Sequence, residues 1–420
     1  NVLGVSVRDI YMIKEISKVA LYPINLHRKR LSILQFSFRL TLVALAFICT
    51  SASAAKYLYT VGNQFENNTV LAYKIKKNGR LIKLEGSPFS TNGGVGQGTP
   101  PFTQNGLIAS PDGEYLFVTN IPSNDIAIFR INDDGSLIHI RNAPTGGYTP
   151  ATLAMSGDIL YTAHLGTSVF FCYECDYRGF RFDRETEDLI PIPDSVIPLP
   201  LNPPGFALAI QFAPDGKTMI GTRFSENKID SFQLDEETGL LTPSPGSPYS
   251  AEDNQPIGFA FSPIDPSLLF VSNVVELDEK PGTMSSYSID YSNGVVSAIP
   301  GGPYSTDGEG AACWVALPSH GQDLYTTNTR TDSITHYKVN ELGELTFVSN
   351  VQVPNVDGTN DEPLDMVITS DDKFLFTVNG GVPGLVGFHI NDDGSLTLRG
   401  KKPKKLPKGS APYGLVLIEK

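Results

Sequence analysis

The sequence predicts an all-β protein: a seven-bladed β-propeller with four antiparallel strands per blade, its ring closed by the C-terminal strand joining the N-terminal blade. Three observations lead there. A strand–turn–strand unit recurs along the chain, one copy is split between its two ends, and the composition suits many short strands joined by tight turns. Glycine supplies 39 of the 420 residues and proline 31, hydrophobic residues make up 40%, and no long helical pattern appears beyond residue 55.

The repeat is plainest at 107–140, LIASPDGEYLFVTNIPSNDIAIFRINDDGSLIHI. An apolar strand a leads through SPDGE into strand b, which ends at Thr119-Asn120. After a loop come an alternating strand c, an NDDGS turn and strand d. The same order returns at 208–241, 257–299, 314–348 and 364–398. A degenerate copy starts at Leu153 and is interrupted by a long irregular insertion around Cys172 to Pro200. The seventh copy is divided: Lys56–Thr60 reads as strand b, VLAYKIKKNGRLIKL as strands c and d, and Tyr413–Ile418 as the missing strand a. Such an exchange closes a propeller without leaving a bare sheet edge, and a monomer is expected. Residues 55–420 then form one domain of 366 residues, about 52 per blade, ordinary for four strands.

Residues 1–54 read as a signal or targeting segment. Arg28-Lys29-Arg30 and Arg39 form a basic region, Leu40–Ile48 an apolar run, and Ala52-Ser53-Ala54 a small-x-small cleavage pattern. The apolar run is shorter than the roughly 20 residues a membrane span needs, so no span is expected. A secreted or periplasmic protein follows. Residues 1–54 hold seven Lys/Arg and two Asp/Glu, so 55–420 carry 25 basic against 43 acidic residues, a net charge of −18. That surface repels phosphate backbones and argues against nucleic acid as a partner. Of the remaining cysteines, Cys172 and Cys175 are spaced for a short-range disulfide in an oxidising compartment, and Cys313 is left over. A CxxC without a second pair argues against a zinc site.

Four antiparallel strands place the a–b and c–d turns on one side and the b–c and d–a loops on the other. SPDGE, APDGK, NDDGS and NELGE are structural hairpin turns selected for positive φ. The loops opposite vary in length and composition, as binding loops do, so the ligand is expected there, around the channel mouth. Strand b ends at Asn63, Asn120, His164, Arg223, Asn273, Asn328 and Asn379. The five Asn suit turn positions because Asn tolerates the left-handed region and caps through its own amide. His164 and Arg223 break the pattern and become candidate catalytic residues, with Glu276 and Arg330 in the same b–c loops. Strand a opens with Phe206, Trp314, Asp365 and Tyr413. Packing between blades is the expectation for Trp314, whereas an inner-strand carboxylate at Asp365 demands a partner or water. Lys401, Lys402, Lys404, Lys405 and Lys408 are expected to form a positive patch in the last d–a loop, either a solvated surface or a rim that attracts anions.

The LFVTN and LFVSN strands, the SPDG turns and DDGSL resemble the seven-bladed lactonase family, which includes 6-phosphogluconolactonase and carboxy-muconate cyclase. PIGFAFSP at 256–263, MSSYSID at 284–290, AACWVALP at 311–318 and PLDMVITSDDKFLFTVNGG at 363–381 resemble its secreted branch. The resemblance covers nearly all of 56–420 and implies lactone hydrolysis or cycloisomerisation. It also implies a Pro-His opening an inner strand and a DLG-x-DR-like segment after strand b. Here those positions read Gly205-Phe206 and Thr222-Arg223-Phe224-Ser225-Glu226-Asn227-Lys228, so the fold is implied more firmly than the reaction.

Two functions compete. A lactonase needs a base for water and a donor for the developing oxyanion, roles open to His164 or Glu276 and to Arg223 and Arg330, with no cofactor or metal. The alternative is a non-catalytic propeller that binds a small molecule, a glycan or a protein on the same face. The Asn-rich ring and the missing Pro-His favour it. A quinone-dependent redox propeller would need aromatic stacking repeats that this sequence lacks.

Overall fold

The computed structural model describes residues 54–64, 67–94, 103–167, 172–275, 280–354, 362–407 and 409–420, with backbone only at 401 and 402. The expected signal segment, apart from Ala54, lies outside the described residues, as do Glu276 and Lys408. The described chain forms seven antiparallel sheets, each built in the order a–b–c–d. Blade 1 is the divided one. Its strand a is Tyr413–Glu419 and its strand b Lys56–Val61, paired from Lys56↔Glu419 to Val61↔Tyr413. Strands b and c of blades 2 to 7 are Tyr115–Asn120 and Asp125–Ile131, Ile159–His164 and Asp176–Asp183, Thr218–Arg223 and Lys228–Leu234, Leu268–Asn273 and Pro281–Asp290, Asp323–Asn328 and Ser333–Val339, and Phe374–Asn379 and Gly384–Ile390. The strands a pack in sequence around a complete circle, the closing strand sitting between those of blades 7 and 2.

Blade 3 corrects one expectation. The stretch from Cys172 to Pro200 is not an irregular insertion: it carries strand c and the two short outer strands Asp188–Pro191 and Ile197–Pro198. Its periodicity was masked by DYRGFRFD, where charged residues alternate with the aromatics that pack inward.

Glycine supplies the positive φ of the short turns, with Gly113 at 70°, Gly135 at 80° and Gly394 at 85°. These turns also join blades. Tyr59, Tyr161 and Tyr325, all on strands b, donate their hydroxyls to the carbonyls of Gly135, Gly239 and Gly394 in the c–d turn of the following blade, at 2.8, 2.8 and 2.6 Å. A side chain at Gly135 would collide with the Tyr57 ring, so that glycine answers both to backbone conformation and to packing.

The central channel is bridged near blade 2. Thr103 donates to the Ala151 carbonyl of blade 3, and Gln104 N–H to Leu208 O of blade 4. The Gln104 amide also pairs with both backbone groups of Phe259 in blade 5, at 3.0 and 3.2 Å. Asn105 adds a bond to Ile210 O. On the side of the b–c and d–a loops, Ile121, Ile257, Val274, Trp314, Leu364 and Tyr413 belong to one apolar cluster that crosses several blades, with Phe224 packed against it.

The closing strand is held by more than its ladder. Lys56 Nζ reaches Asp371 of blade 7 at 2.9 Å, and Lys420 Nζ reaches Glu114 of blade 2 at 3.0 Å. Removing Tyr413–Lys420 leaves strand b of blade 1 with an open edge and strips the inner strands of blades 7 and 2 of their packing partner. The truncated protein is expected to aggregate or lose its cooperative thermal transition, which calorimetry and light scattering would show; an unchanged transition would refute closure by this strand.

Candidate functional site

The ends of strands b form a ring of buried polar residues, but not for the reason their chemistry first suggests. Asn120, Asn273 and Asn328 are fully buried strand residues, not left-handed turn residues. Their amides bond side chains on the neighbouring strand c: Asn120 to Asp125 at 2.7 Å, Asn273 to Ser285 at 2.9 Å, and Asn328 to Ser333 and Thr335 at 2.9 and 2.7 Å. Asn379 occupies the same place in blade 7. Only Asn63 has the expected positive φ, 47°, and it lies just past the strand, where Gly62 rather than Asn63 faces strand c at Thr69. The ring therefore fastens strand b to strand c.

His164 and Arg223 occupy the same positions in blades 3 and 4 with charged partners. His164 is fully buried. Its Nδ1 lies 2.8 Å from Asp176 Oδ1, and because a carboxylate only accepts, that nitrogen carries the hydrogen. Asp176 Oδ2 is held by Arg178 Nε and Nη2 at 2.9 and 2.8 Å, and Arg178 also donates to the Gly146 carbonyl. His164 Nε2 makes no hydrogen bond among the described residues. Gly147 lies flat on the imidazole, so close that a methyl group there would overlap the ring. Burial holds the imidazole below its ordinary pKa, and the Asp176 bond and charge oppose this without cancelling it. The ring is thus neutral at neutral pH, with an oriented lone pair on Nε2. Burial also opposes the charge of Asp176, but the bonds from His164 and Arg178 outweigh it and keep the carboxylate ionised.

Arg223 is engaged within the protein. Nε and Nη2 form a bidentate pair with Asp230 at 2.6 Å each, and Nη1 reaches Glu226 at 2.9 Å. Tyr177 completes the cluster, donating to Asp230 at 2.6 Å. Tyr177 follows Asp176 on strand c of blade 3, so consecutive residues face His164 on one side and the Arg223 cluster on the other. Arg330 differs: it is half-buried, packs on Gly310, and makes no ion pair among the described residues. The carboxylates around Arg223 and the partners of His164 were not legible as a site, because Asp176, Tyr177, Arg178 and Asp230 lay in stretches read as insertion or as ordinary strand c. Only Glu226 was visible, as a departure from the family pattern.

The remaining candidates serve the core or the ring. Trp314 is buried, with its backbone N–H on Thr327 Oγ1. The Tyr413 hydroxyl shares a hydrogen bond with Thr119 at 3.1 Å. Asp365 accepts from Leu415 N–H at 2.7 Å, a group set free by the bulge at Gly414, and from Met366 N–H at 2.8 Å. Burial pushes its carboxyl up to about 7, the two N–H bonds only partly opposing this. The lysine loop is corrected outright. Lys401, Lys402, Lys404 and Lys405 belong to the outer strand Leu396–Lys405 of blade 7, away from the channel mouth. A groove of about 610 Å³, lined by Arg181, Arg184, Ile190 and Glu237, lies on the outer side of blades 3 and 4. It touches none of these polar clusters.

The chain belongs to the lactonase family of seven-bladed β-propellers, whose family model matches residues 49–178 and 209–410. Its structure is similar to a candidate 6-phosphogluconolactonase from Bacteroides uniformis, with a TM-score of 0.67 at 19% identity over 87% of this chain and 100% of that one. A second candidate 6-phosphogluconolactonase, from Bacteroides fragilis, gives 0.66 at 18% over 88% and 99%. A periplasmic gluconolactonase of Pseudomonas aeruginosa gives 0.65 at 17% over 86% and 99%. At these identities the likeness is one of fold. No curated protein matches the chain.

Truncating Arg223 would leave Asp230 buried without its partner. Arg223→Ala is expected to lower the unfolding free energy by about 3–5 kcal/mol, as for a broken buried ion pair. Denaturant unfolding would measure this, and a loss under about 1 kcal/mol would show that the cluster is not structural.

Proposed function

We propose that this protein opens a small lactone on the face formed by the b–c and d–a loops, with His164 as the base that activates water. One observation carries the reading: a neutral imidazole whose Nδ1 is tied to Asp176, leaving an unbonded Nε2 at the end of a strand b. A carboxylate that fixes the tautomer and stabilises the imidazolium formed during proton transfer is what a histidine base needs. The family supports lactone chemistry. Gly147 covers the ring, so water reaches Nε2 only when the backbone there moves away.

Arg330 is the cation offered to an anionic lactone or to the developing oxyanion, because its guanidinium is not already paired. Arg223 acts indirectly in this scheme, holding Asp230, Tyr177 and Glu226 beside the dyad. Glu276 is kept as a second candidate base in the b–c loop of blade 5. The acidic surface favours a small ligand over a polyanion. Export from the cytosol is part of the same reading, supported by the basic–apolar–small pattern of 28–54 and by the Cys172–Cys175 disulfide. The second reading, a binder of a small molecule, glycan or protein on this face, is favoured by the complete burial of His164.

Kinetics separate the two. His164→Gln should reduce kcat by about 10²- to 10⁴-fold, the usual range for a lost general base. Because burial depresses the His164 pKa, the wild-type rate should rise with pH below the ordinary imidazole range and then stay level through neutrality. Arg330→Ala should act mainly on KM for anionic lactones. Equal rates for wild type and His164→Gln across this pH range would remove His164 from the reaction.

A further inference from the structure

Blade 3 departs from its neighbours at one backbone position. In blades 2, 4 and 6 the residue before strand c is Asn124, Asn227 or Asp332, each left-handed with φ of 54–55°. Its side-chain oxygen accepts the N–H that opens the next blade, from Thr149, Gln255 and Glu362 at 2.8, 2.8 and 2.9 Å. Its carbonyl accepts a second N–H, from Thr145, Ala251 and Val353. In these three blades the latch ties the start of strand c to the opening of the next blade. In blade 3 the position is Cys175. Its carbonyl keeps the second bond, to Leu199 N–H at 2.9 Å, but its side chain is joined to Cys172 instead. The loops also differ: strands b and c are joined by residues 121–124, 224–227 and 329–332 in the latched blades, and by 165–175 in blade 3. A longer loop leaves more freedom at the start of strand c, which a cross-link at that end removes. The next residue is Asp176.

We propose that the Cys172–Cys175 disulfide replaces the side-chain latch and is the positioning group for the Asp176–His164 pair, so that the pair assembles in the oxidised protein and is released on reduction. In reduction by a small dithiol, one reductant thiolate attacks a sulfur and the S–S bond breaks. The second reductant thiolate then displaces the resulting mixed disulfide. Two electrons and two protons end on Cys172 and Cys175, and the reductant leaves as its own disulfide. Both cysteines are buried, so exchange requires the backbone at 172–175 to open. With its end free, strand c no longer holds the Asp176 carboxylate against Nδ1, and Arg178 loses its position with it. The consequence for turnover rests on the proposed role of His164; the structural claim does not.

Proton–nitrogen NMR of the ring-labelled histidines tests the structural claim on the whole protein. The oxidised form should show a slowly exchanging Nδ1–H for His164, assigned by its disappearance in His164→Gln. Dithiothreitol treatment, with thiol labelling to verify a free Cys172 and Cys175, should abolish that signal while the thermal transition of the propeller persists. Cys172→Ser/Cys175→Ser should match the reduced form, and reoxidation of the wild type should restore the signal. An unchanged Nδ1–H in a demonstrably reduced protein, or in the double serine variant, overturns the proposal. If the signal responds as expected but no lactone is opened, the lactonase reading fails and the positioning role stands; if lactone opening persists with the signal unchanged, the reverse holds.

Discussion

Everything in this molecule depends on the pairing of Tyr413–Glu419 with Lys56–Val61. A sheet edge presents unpaired N–H and C=O groups along its length, and a ring of separate sheets has no stable arrangement while one blade lacks its inner strand. The pairing runs without interruption from Lys56↔Glu419 to Thr60↔Leu415 and bulges only at Gly414. The bulge frees the Leu415 N–H, and Asp365 of blade 7 accepts it. A carboxylate on an inner strand, costly on burial alone, is thus a fastener between the last blade and the closing strand. Because the ring is closed, the ends of all seven strands b converge on one face.

That convergence explains why the same position yields such different chemistry. Asn120 uses it to hold strand c through the Asp125 carboxylate, and Asn273 and Asn328 through serine and threonine hydroxyls. His164 and Arg223 use it with carboxylates, and Tyr177 carries the connection from one blade to the next. The neutral members make the scaffold rigid. The charged members place a neutral imidazole beside a buried ion-pair cluster, on the side where the connecting loops vary. Rigid strands that present variable loops are a common setting for binding and chemistry.

The architecture was legible in the sequence because its signals are local and repeated. SPDG and DDGS turns, LFVTN-type strands and the Tyr413–Ile418 complement to Lys56–Thr60 each follow from period-two patterning or turn chemistry. The site was legible only as exceptions to the repeat. His164 and Arg223 stood out against the Asn series, but their partners Asp176 and Asp230 sit on strands c, where a carboxylate looks like any other polar residue. The left-handed role given to the asparagines failed because strand b continues through them, and their buried amide nitrogens donate to a hydroxyl or carboxylate of strand c. The lysines were misplaced because a run of charge after DDGSL resembles a loop, whereas the chain continues as a ten-residue outer strand. No local pattern announces that Gln104 reaches across the ring to Phe259.

The family assigns the fold and narrows the chemistry, while Gly205-Phe206 stands where the resemblance implies a Pro-His pair, and His164 lies one blade earlier. The most direct test is a crystal structure with an unreactive lactam analogue of a turned-over lactone. The account predicts the lactam on the face of the b–c and d–a loops, with Gly147 moved off the imidazole and the lactam carbonyl carbon about one water from His164 Nε2, as a general base acting through water requires. A lactam seated in the outer groove between Arg181 and Ile190, with His164 still covered, would contradict it.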